Sequence, residues 1–265
     1  MTKIEKVVQE SSNIRSLIFK DEESLMANPG QFVMVWLPGV GEFPMSVSLT
    51  YRTSVSIVVK AMGEGSKALF NCGKGDLLGL RGPYGNGFVI PPHTRKVLLV
   101  GGGTGIAPIL RLAEEVSRKK RKLETRVVIG ARSKKELPFI PLLKRWLGPE
   151  SVYATTDDGT FGFKGYAHEQ VGALIEKHDF DLICCCGPEA MMLQVFNIAS
   201  RNKIRAQFSL ERIMKCGISI CGSCCVQDLV LCREGPVLND EILSKLSKEF
   251  GKLERDKTGT LVKKS

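Results

Sequence analysis

Short apolar runs of strand length, separated by turn residues, are the main feature of residues 1–93. The runs are rich in β-branched and aromatic side chains and lie at residues 16–19, 31–36 and 54–59. Glycine and proline turns stand between and after them, at residues 28–30, 37–39 and 82–87. Short strands joined by tight turns in this way are typical of a small antiparallel β-barrel.

The pattern changes near Pro91 and Pro92, where apolar strands begin to alternate with segments of helical periodicity. Strands are predicted at residues 97–100, 125–129, 151–154 and 181–185. Helices are predicted at residues 107–118, 142–147, 166–177 and 190–201. Repeated strand–helix–strand units predict an α/β domain over residues 94–206, with a mostly parallel sheet that carries helices on both faces.

Beyond Gln207 the chain becomes rich in glycine and cysteine, and this change marks a third unit at residues 207–250. Its last part, residues 241–250, is predicted to be a helix. Residues 251–265 form a basic tail, which we expect to be frayed. The sequence therefore predicts an α+β multi-domain protein with a barrel, a parallel-sheet domain and a small C-terminal module.

The chain is basic, with a formal net charge of +10 over 265 residues. Only residues 118–122 form a dense basic block, and we expect that block to end a helix, where cations complement the dipole. The other basic residues are widely spread, so a nucleic-acid partner is not expected. No apolar run approaches the ~20 residues of a membrane span, and the N-terminus lacks an apolar signal segment. The sequence predicts a cytoplasmic protein without a membrane partner.

Cysteines carry the strongest chemical signal. Four of the nine cysteines follow a Cys-x4-Cys-x2-Cys pattern with one later cysteine, namely Cys216, Cys221, Cys224 and Cys232. This spacing is the plant-type 2Fe–2S pattern, in which a loop wraps the cluster and the last ligand comes from elsewhere. Gly217 and Gly222 let the backbone turn closely around the sulfur atoms. A structural zinc site is the alternative, although zinc ribbons usually carry two Cys-x2-Cys pairs.

The remaining cysteines have other interpretations. Cys225 stands next to a predicted ligand and is the obvious substitute for Cys224, or else a small buried residue. Cys72, Cys184 and Cys185 are expected to be buried, as free cysteines often are.

Two strand ends in the second domain predict a nucleotide site. Gly101, Gly102, Gly103, Thr104 and Gly105 follow a strand and open a helix, where backbone amides favour a pyrophosphate. Cys186, Gly187 and Pro188 occupy a second strand end, and the two motifs together predict a nicotinamide pocket.

The acidic residue expected about 20 residues after a dinucleotide glycine motif is missing. The second strand ends instead in residues 130–134, with Arg132 and Lys134. These cations either face a 2′-phosphate or form a solvated surface, so the sequence leaves NAD and NADP open.

The first domain offers a second nucleotide site. Residues 43–48 and residues 63–67 are its candidate pieces, and the latter place Ser66 at a predicted helix start, which favours anions. A plain hairpin without ligand is the alternative.

Together these features resemble the ferredoxin–NADP reductase superfamily and, over nearly the whole chain, the electron-transfer subunits of type B dihydroorotate dehydrogenases. The resemblance rests on the sequence letters at residues 44–46, 63–66, 82–88, 157–159, 186–191, 211–217 and 232–237. The last two stretches also resemble the flavin subunits of sulfhydrogenases and of NADH-dependent ferredoxin:NADP reductases. That second resemblance leaves a hydrogenase or ferredoxin partner as the alternative.

The resemblance implies three cofactors. FAD would bind in the barrel, a 2Fe–2S cluster at the four cysteines, and NAD as co-substrate at the glycine-rich loop. The implied FAD-binding residues are Pro44, Met45, Ser46, Val47, Val58, Val59, Lys60, Gly65 and Ser66. Electrons would leave the FMN of a catalytic subunit in pyrimidine biosynthesis and pass through the cluster and FAD to NAD. Two copies of each subunit would form a heterotetramer.

No catalytic acid or base is required of this chain, and we assign none. One departure from the family concerns flavin phosphate: the family usually has arginine where Phe43 stands, so Lys60 or Lys67 would balance the charge, or FAD would be held more loosely. A flavin-free iron–sulfur redox sensor is the alternative from another class of protein.

Overall fold

The computed structural model describes residues 1–118 and 123–264. Its first domain is a closed six-stranded barrel in the order β1-β2-β5-β4-β3-β6, with antiparallel neighbours throughout. The strands are β1 Thr2–Ser11, β2 Ile14–Phe19, β3 Phe32–Leu37, β4 Gly41–Thr50, β5 Val55–Lys60 and β6 Leu77–Tyr84, and the helices are α1 Glu22–Leu25 and α2 Glu64–Phe70. The predicted barrel and its three predicted strands are confirmed.

The barrel core follows strand alternation, since successive side chains in a strand point to opposite faces. On β5, Val55, Ile57 and Val59 are buried inside the barrel, together with Val47 of β4. Val58 points the other way and packs with the core of the second domain. The outer face of β5 therefore belongs to the contact between the two domains.

The second domain is a seven-stranded sheet in the order β10-β9-β8-β7-β11-β12-β15. All its neighbours are parallel except β12 and β15. The strands are β7 Lys96–Gly102, β8 Glu124–Ala131, β9 Val152–Thr156, β10 Phe163–Lys164, β11 Leu182–Cys186, β12 Arg205–Ser209 and β15 Val237–Asn239. The helices are α3 Ile106–Arg118, α4 Ile140–Leu147, α5 Ala167–Ile175 and α6 Glu189–Arg201, with short 3-10 turns at Gly103–Gly105, Lys134–Glu136 and Pro149–Ser151.

This sheet confirms the predicted parallel architecture. It also contains strands at its β12–β15 edge that the sequence did not predict. The predicted boundary between residues 206 and 207 falls inside β12, which continues to Ser209. β15 comes from the third unit and returns to the edge of the sheet. Of the predicted basic block, residues 119–122 lie outside the described residues.

Besides the end of β12 and β15, the described part of the third unit and the tail, residues 207–264, contains two small hairpins and two short helices. These are β13 Cys225–Val226 with β14 Leu229–Val230, α7 Leu231–Glu234, α8 Asp240–Lys245, and β16 Leu253–Arg255 with β17 Leu261–Lys263. Two predictions for this region were wrong. The helix predicted to Phe250 ends at Lys245, and the tail expected to be frayed forms the β16–β17 hairpin. No helix in the described residues is long and apolar enough to cross a membrane.

Glu114 joins the barrel to the second domain. This carboxylate on α3 is only 2% exposed. It accepts hydrogen bonds from the Thr50 amide at 3.1 Å and the Thr50 hydroxyl at 3.0 Å. Arg111 and Arg118 donate to it at 3.0 and 2.8 Å. A buried carboxylate with this many donors is satisfied only when β4 and α3 stay together.

We expect Glu114→Ala to lower the free energy of unfolding by ~3 kcal/mol, because the largely buried Arg111 would lose its carboxylate partner. Urea unfolding measures this change. Glu150→Ala removes an exposed glutamate and is the control, with an expected change within about 0.5 kcal/mol. Equal unfolding midpoints for the two variants would contradict the role of Glu114.

Candidate cofactor and cluster sites

A cavity of about 260 Å³ lies between the barrel and the second domain, and we call it the barrel-side cavity. Thr104, Cys186 and Glu211 line it from the second domain and the third unit. Most of the predicted FAD-binding residues line it from the barrel, namely Pro44, Met45, Ser46, Val58, Lys60 and Ser66.

The other three predicted FAD-binding residues do not line this cavity. Val47 and Val59 are fully buried inside the barrel, because strand alternation turns them away from the cavity. Gly65 lies beneath the ring of Phe43, and a Cβ at Gly65 would collide with that ring.

Ser66 fixes the turn at the start of α2. Its hydroxyl oxygen accepts hydrogen bonds from the amides of Met62 and Gly63, both at 2.9 Å. Such bonds satisfy amides that have no partner within the helix.

The apolar ring of Phe43 packs against the barrel core, where the family resemblance leads one to expect arginine. Of the two cations considered for flavin phosphate, Lys60 lines the barrel-side cavity and pairs with Glu136 at 3.2 Å. Lys67 lines neither this cavity nor the one described next.

A second cavity, of about 670 Å³, lies where β7, β8 and β9 end, and we call it the sheet-edge cavity. Gly102, Gly103, Thr104 and Pro188, four of the residues predicted to bind the nucleotide, line it. In doubly wound sheets ligands bind outside the carboxyl ends of the strands, and this cavity has that position.

Gly101, Gly105 and Gly187 do not line the sheet-edge cavity but allow close packing beside it. A Cβ at Gly105 would collide with the carbonyl group of Cys186, and one at Gly187 would lie 2.9 Å from the carbonyl oxygen of Gly102. The two nucleotide motifs of the sequence therefore touch each other.

Charged groups of both signs face the sheet-edge cavity. Arg132 lines it, and so do Glu136 and Asp157. Burial raises the pKa of Asp157, and the nearby charge of Arg132 opposes that rise. Lys134 is not in the lining, and its amine lies 5.5 Å from the centre of the Phe161 ring. Asp157 directly follows β9 and brings a carboxylate to this cavity. The sequence motif predicts an acidic residue after β8, so it did not identify Asp157.

Glu211 lines both cavities and was not predicted as a site residue. Its carboxylate accepts a hydrogen bond from the hydroxyl of Thr104 at 3.3 Å. Glu211 is exposed at this junction, and the protein atoms around its carboxyl group desolvate it in part, which raises the pKa of Glu211. A carboxylate at the junction of the two cavities lies between the predicted flavin and nicotinamide sites.

The four predicted cluster ligands form two pairs. The backbone amide of Cys221 contacts the sulfur of Cys216, and the backbone amide of Cys232 contacts the sulfur of Cys224. The first pair lies near the surface, whereas the second is buried. Two irons bridged by sulfide take two thiolates each, so this pairing fits a two-iron cluster.

Backbone amides point at these sulfur atoms. The amide of Ser219 donates to Cys232 Sγ at 3.1 Å, and that of Cys232 donates to Cys224 Sγ at 3.3 Å. The Cys221 amide donates to Cys216 Sγ at 3.4 Å. Positive φ angles at Gly217 and Gly222 allow the loop to turn this tightly. Donors aimed at sulfur stabilise thiolate charge, which iron coordination requires.

The pKa values differ between the two pairs. The neighbouring Ser223 hydroxyl is the main cause that lowers the pKa of Cys221 to about 6. Burial raises the pKa of Cys224 to about 12.

Cys225 belongs to neither pair. It lies in β13, and burial raises the pKa of its thiol. In the described part of the chain, no three His, Cys, Asp or Glu side chains surround a position for one metal ion. A two-iron cluster does not need such a group, because each iron takes two protein thiolates.

Comparison with known proteins defines the class of this chain. Residues 99–196 match the family "Oxidoreductase NAD-binding domain", and residues 211–244 match "Iron-sulfur cluster binding domain of dihydroorotate dehydrogenase B". A solved NADH-dependent reduced ferredoxin-NADP oxidoreductase chain has a TM-score of 0.81 and 28% identity, covering 94% of each chain. Phthalate dioxygenase reductase shares the fold with a TM-score of 0.61 and 23% identity, covering 75% of this chain and 63% of its own. The chain is an NAD-linked oxidoreductase with a ferredoxin reductase-like fold.

Two curated relatives give the family. One, from Methanocaldococcus jannaschii, is 42% identical over 97% of this chain and 95% of its own length. The other, from Methanothermobacter thermautotrophicus, is 41% identical over 98% of this chain and 95% of its own length. Both are named probable dihydroorotate dehydrogenase B (NAD(+)), electron transfer subunit. The chain belongs to this family of electron transfer subunits.

We expect Cys216→Ser and Cys221→Ser to remove iron while most flavin stays bound, because the cysteines and the barrel-side cavity are separate sites. Iron analysis and flavin absorbance measure the two cofactors, with two irons and one FAD expected per wild-type chain. Cys225→Ser is the matched control and should keep its iron. If Cys225→Ser loses iron and Cys224→Ser keeps it, Cys225 is the ligand in place of Cys224. Stoichiometric zinc without iron would contradict the iron–sulfur cluster.

Proposed function

We propose that this chain is the electron-transfer subunit of a dihydroorotate dehydrogenase. It carries electrons from an FMN-containing catalytic subunit, through a 2Fe–2S cluster and FAD, to NAD. The observation that carries this proposal is the closeness in sequence of the cavity lining and the cysteine loop. Four residues separate Glu211, which lines both cavities, from Cys216, which opens the loop, and one of them, Met214, lines the barrel-side cavity. Family membership supports the same conclusion.

The chain's own residues bind and orient the cofactors in this proposal. A bound flavin exchanges electron pairs with nicotinamide and single electrons with an iron–sulfur centre. Ser46, Ser66 and Lys60 hold FAD from the barrel. The glycine-rich loop at residues 101–105 and the motif at residues 186–188 receive NAD. Cys224 and Cys232 would hold one iron, and Cys216 and Cys221 would hold the other.

The partner contact is proposed at the cysteine loop, because single-electron transfer requires the centres to be close. Ile218 and Ile220 on this loop are 47% and 79% exposed, which suits a surface that becomes buried on association. Val226 was considered with them, but it is fully buried in the core of this chain. A heterotetramer of two such subunits and two catalytic subunits is the proposed assembly.

Ser46→Ala and Ser66→Ala are each expected to weaken FAD binding by ~1 kcal/mol, roughly fivefold, the size of one ordinary hydrogen bond. Ser46 would lose a contact in the cavity, whereas Ser66 would lose the bonds that shape the α2 turn. Flavin retention on dilution measures both effects. Ser12→Ala, at an exposed position on the barrel, is the control. Unchanged retention in both test variants would place FAD elsewhere.

The isolated chain is expected to reduce ferricyanide with NADH, and to support NAD reduction by dihydroorotate only when mixed with an FMN-containing catalytic subunit. Ile220→Glu should weaken that mixed reaction while leaving ferricyanide reduction unchanged, since it places a charge in the proposed contact. Phe163→Glu, on β10 at the opposite edge of the sheet, is the matched control. Recovery of turnover only with a hydrogenase or ferredoxin partner would reject the pyrimidine role and favour the alternative named above.

A further inference from the structure

A buried carboxylate joins the second domain to the cysteine loop. Glu189 opens α6, directly after the motif at residues 186–188, and its side chain is 1% exposed. Arg212 binds both of its oxygens, with Nη1 donating at 2.8 Å and Nη2 at 2.9 Å. This bidentate pair is also fully buried on the arginine side. Fork-like pairs of this kind fix orientation as well as charge.

Residues of the C-terminal tail also bind the Glu189 carboxylate. Lys264, which follows β17, donates to Glu189, and the amide of Gly251 donates to it at 3.0 Å. Burial alone raises the pKa of Glu189, but the hydrogen bonds and charge of Arg212, with help from Lys264, outweigh it and lower the pKa. Glu189 is therefore ionised and shared by two cations.

The tail holds the segment before the cysteine loop at a second point. Lys215 Nζ donates to the carbonyl oxygen of Lys257 at 3.1 Å, and Lys257 lies between β16 and β17. Residues 253–264, which we call the clasp, thus contact residues 212–215 indirectly through Glu189 and directly through Lys215. The clasp lies beyond residues 211–244, which match the iron–sulfur domain.

Adjacent residues carry the effect of the clasp into the cavities. Glu211 turns toward Thr104 and lines both cavities, whereas its neighbour Arg212 binds Glu189. The charge of Lys264 also acts on Glu211 and lowers its pKa against the effect of burial. Lys264 also pairs with Glu254 at 3.3 Å, so its charge faces three carboxylates, those of Glu189, Glu211 and Glu254. Removal of Lys264 would leave Arg212 as the only cation described for this group and would make its charge more negative.

We propose that Lys264 is a positioning residue. Through Glu189 and Arg212, the clasp fixes two parts of the chain: Glu211, at the junction of the two cavities, and the cysteine loop. The inference rests on the proposed function for its cofactors, but the geometry that carries it lies in this chain alone. The clasp is thus a part of the electron-transfer unit and not a disordered end.

Three variants of the full holoprotein test the clasp. Lys264→Met removes the charge and keeps the stem, Lys264→Arg retains the charge, and Lys263→Met removes a charge from the exposed neighbouring lysine. Release of iron to a ferrous chelator is expected to be about tenfold faster in Lys264→Met, the size expected from losing a charged hydrogen bond. Lys264→Arg should restore the wild-type rate, and Lys263→Met should not change it.

A second measurement is the pH dependence of the rate of ferricyanide reduction by NADH. The limb of this pH–rate curve that disappears in Glu211→Gln is assigned to the ionisation of Glu211. Glu189 and Lys264 act on the charge of Glu211. The charged and titratable groups that share the two cavities with it are Lys60, Arg132, Glu136, Asp157, Tyr166, His168, Cys186 and Arg212. Since the cation at Lys264 favours ionised Glu211, Lys264→Met should move this limb to higher pH, and Lys264→Arg should not. A merely structural role of the tail would not move a pH midpoint.

The proposed role of the clasp is wrong if Lys264→Met behaves like Lys263→Met in both measurements. It is also wrong if Glu211→Gln changes no part of the pH–rate curve. Wild-type protein that binds no iron would instead contradict the proposed function, and the pH measurement would still decide the clasp.

Discussion

One shared hydrophobic core is the constraint on which this structure depends. It contains Phe32 and Met34 of the barrel, Leu98 and Phe208 of the sheet, and Cys224, Val226 and Cys232 of the third unit. The third unit has too few apolar residues to fold around a core of its own, and small units need such help. Its cysteines therefore acquire fixed positions only because the sheet and barrel provide the surface on which they pack.

Polar contacts then set the register of the parts that share this core, and they join stretches that are distant in sequence. The Asn86 side chain donates to the carbonyl oxygen of Glu234 at 3.0 Å, so the turn at residues 82–87 meets the stretch that follows Cys232. A Cβ at Gly85 would lie 2.5 Å from the carbonyl oxygen of Gly235, which explains the need for glycine there. Glu189 and Arg212 join two other motifs in the same way. The stretches that carried the family resemblance are thus paired contact surfaces as well as ligand sites.

The sequence was most informative where the signal is local. Apolar periodicity located the barrel strands and the strand–helix units, and cysteine spacing selected the four thiols that form two pairs. It did not predict structure that depends on contacts between residues distant in the chain. β15 joins the sheet only through antiparallel pairing with β12. The tail forms a hairpin whose last lysine, Lys264, contacts a buried carboxylate 75 positions away. Val47 and Val59 were assigned to the flavin from family resemblance, although only the closed barrel determines which face of a strand meets the cavity.

The unequal depth of the two cysteine pairs has a consequence for stability toward oxygen. Cys221 is exposed and its neighbour Cys216 is partly exposed, whereas Cys224 and Cys232 are buried. Low-pKa, accessible thiolates are the first to be oxidised, and Cys221 combines both properties when no iron is bound to it. The surface proposed to contact a redox partner is therefore also the surface that oxidants reach first. In the proposed assembly the catalytic subunit would cover it, so resistance to air would be a property of the complex and the free chain would be its vulnerable form.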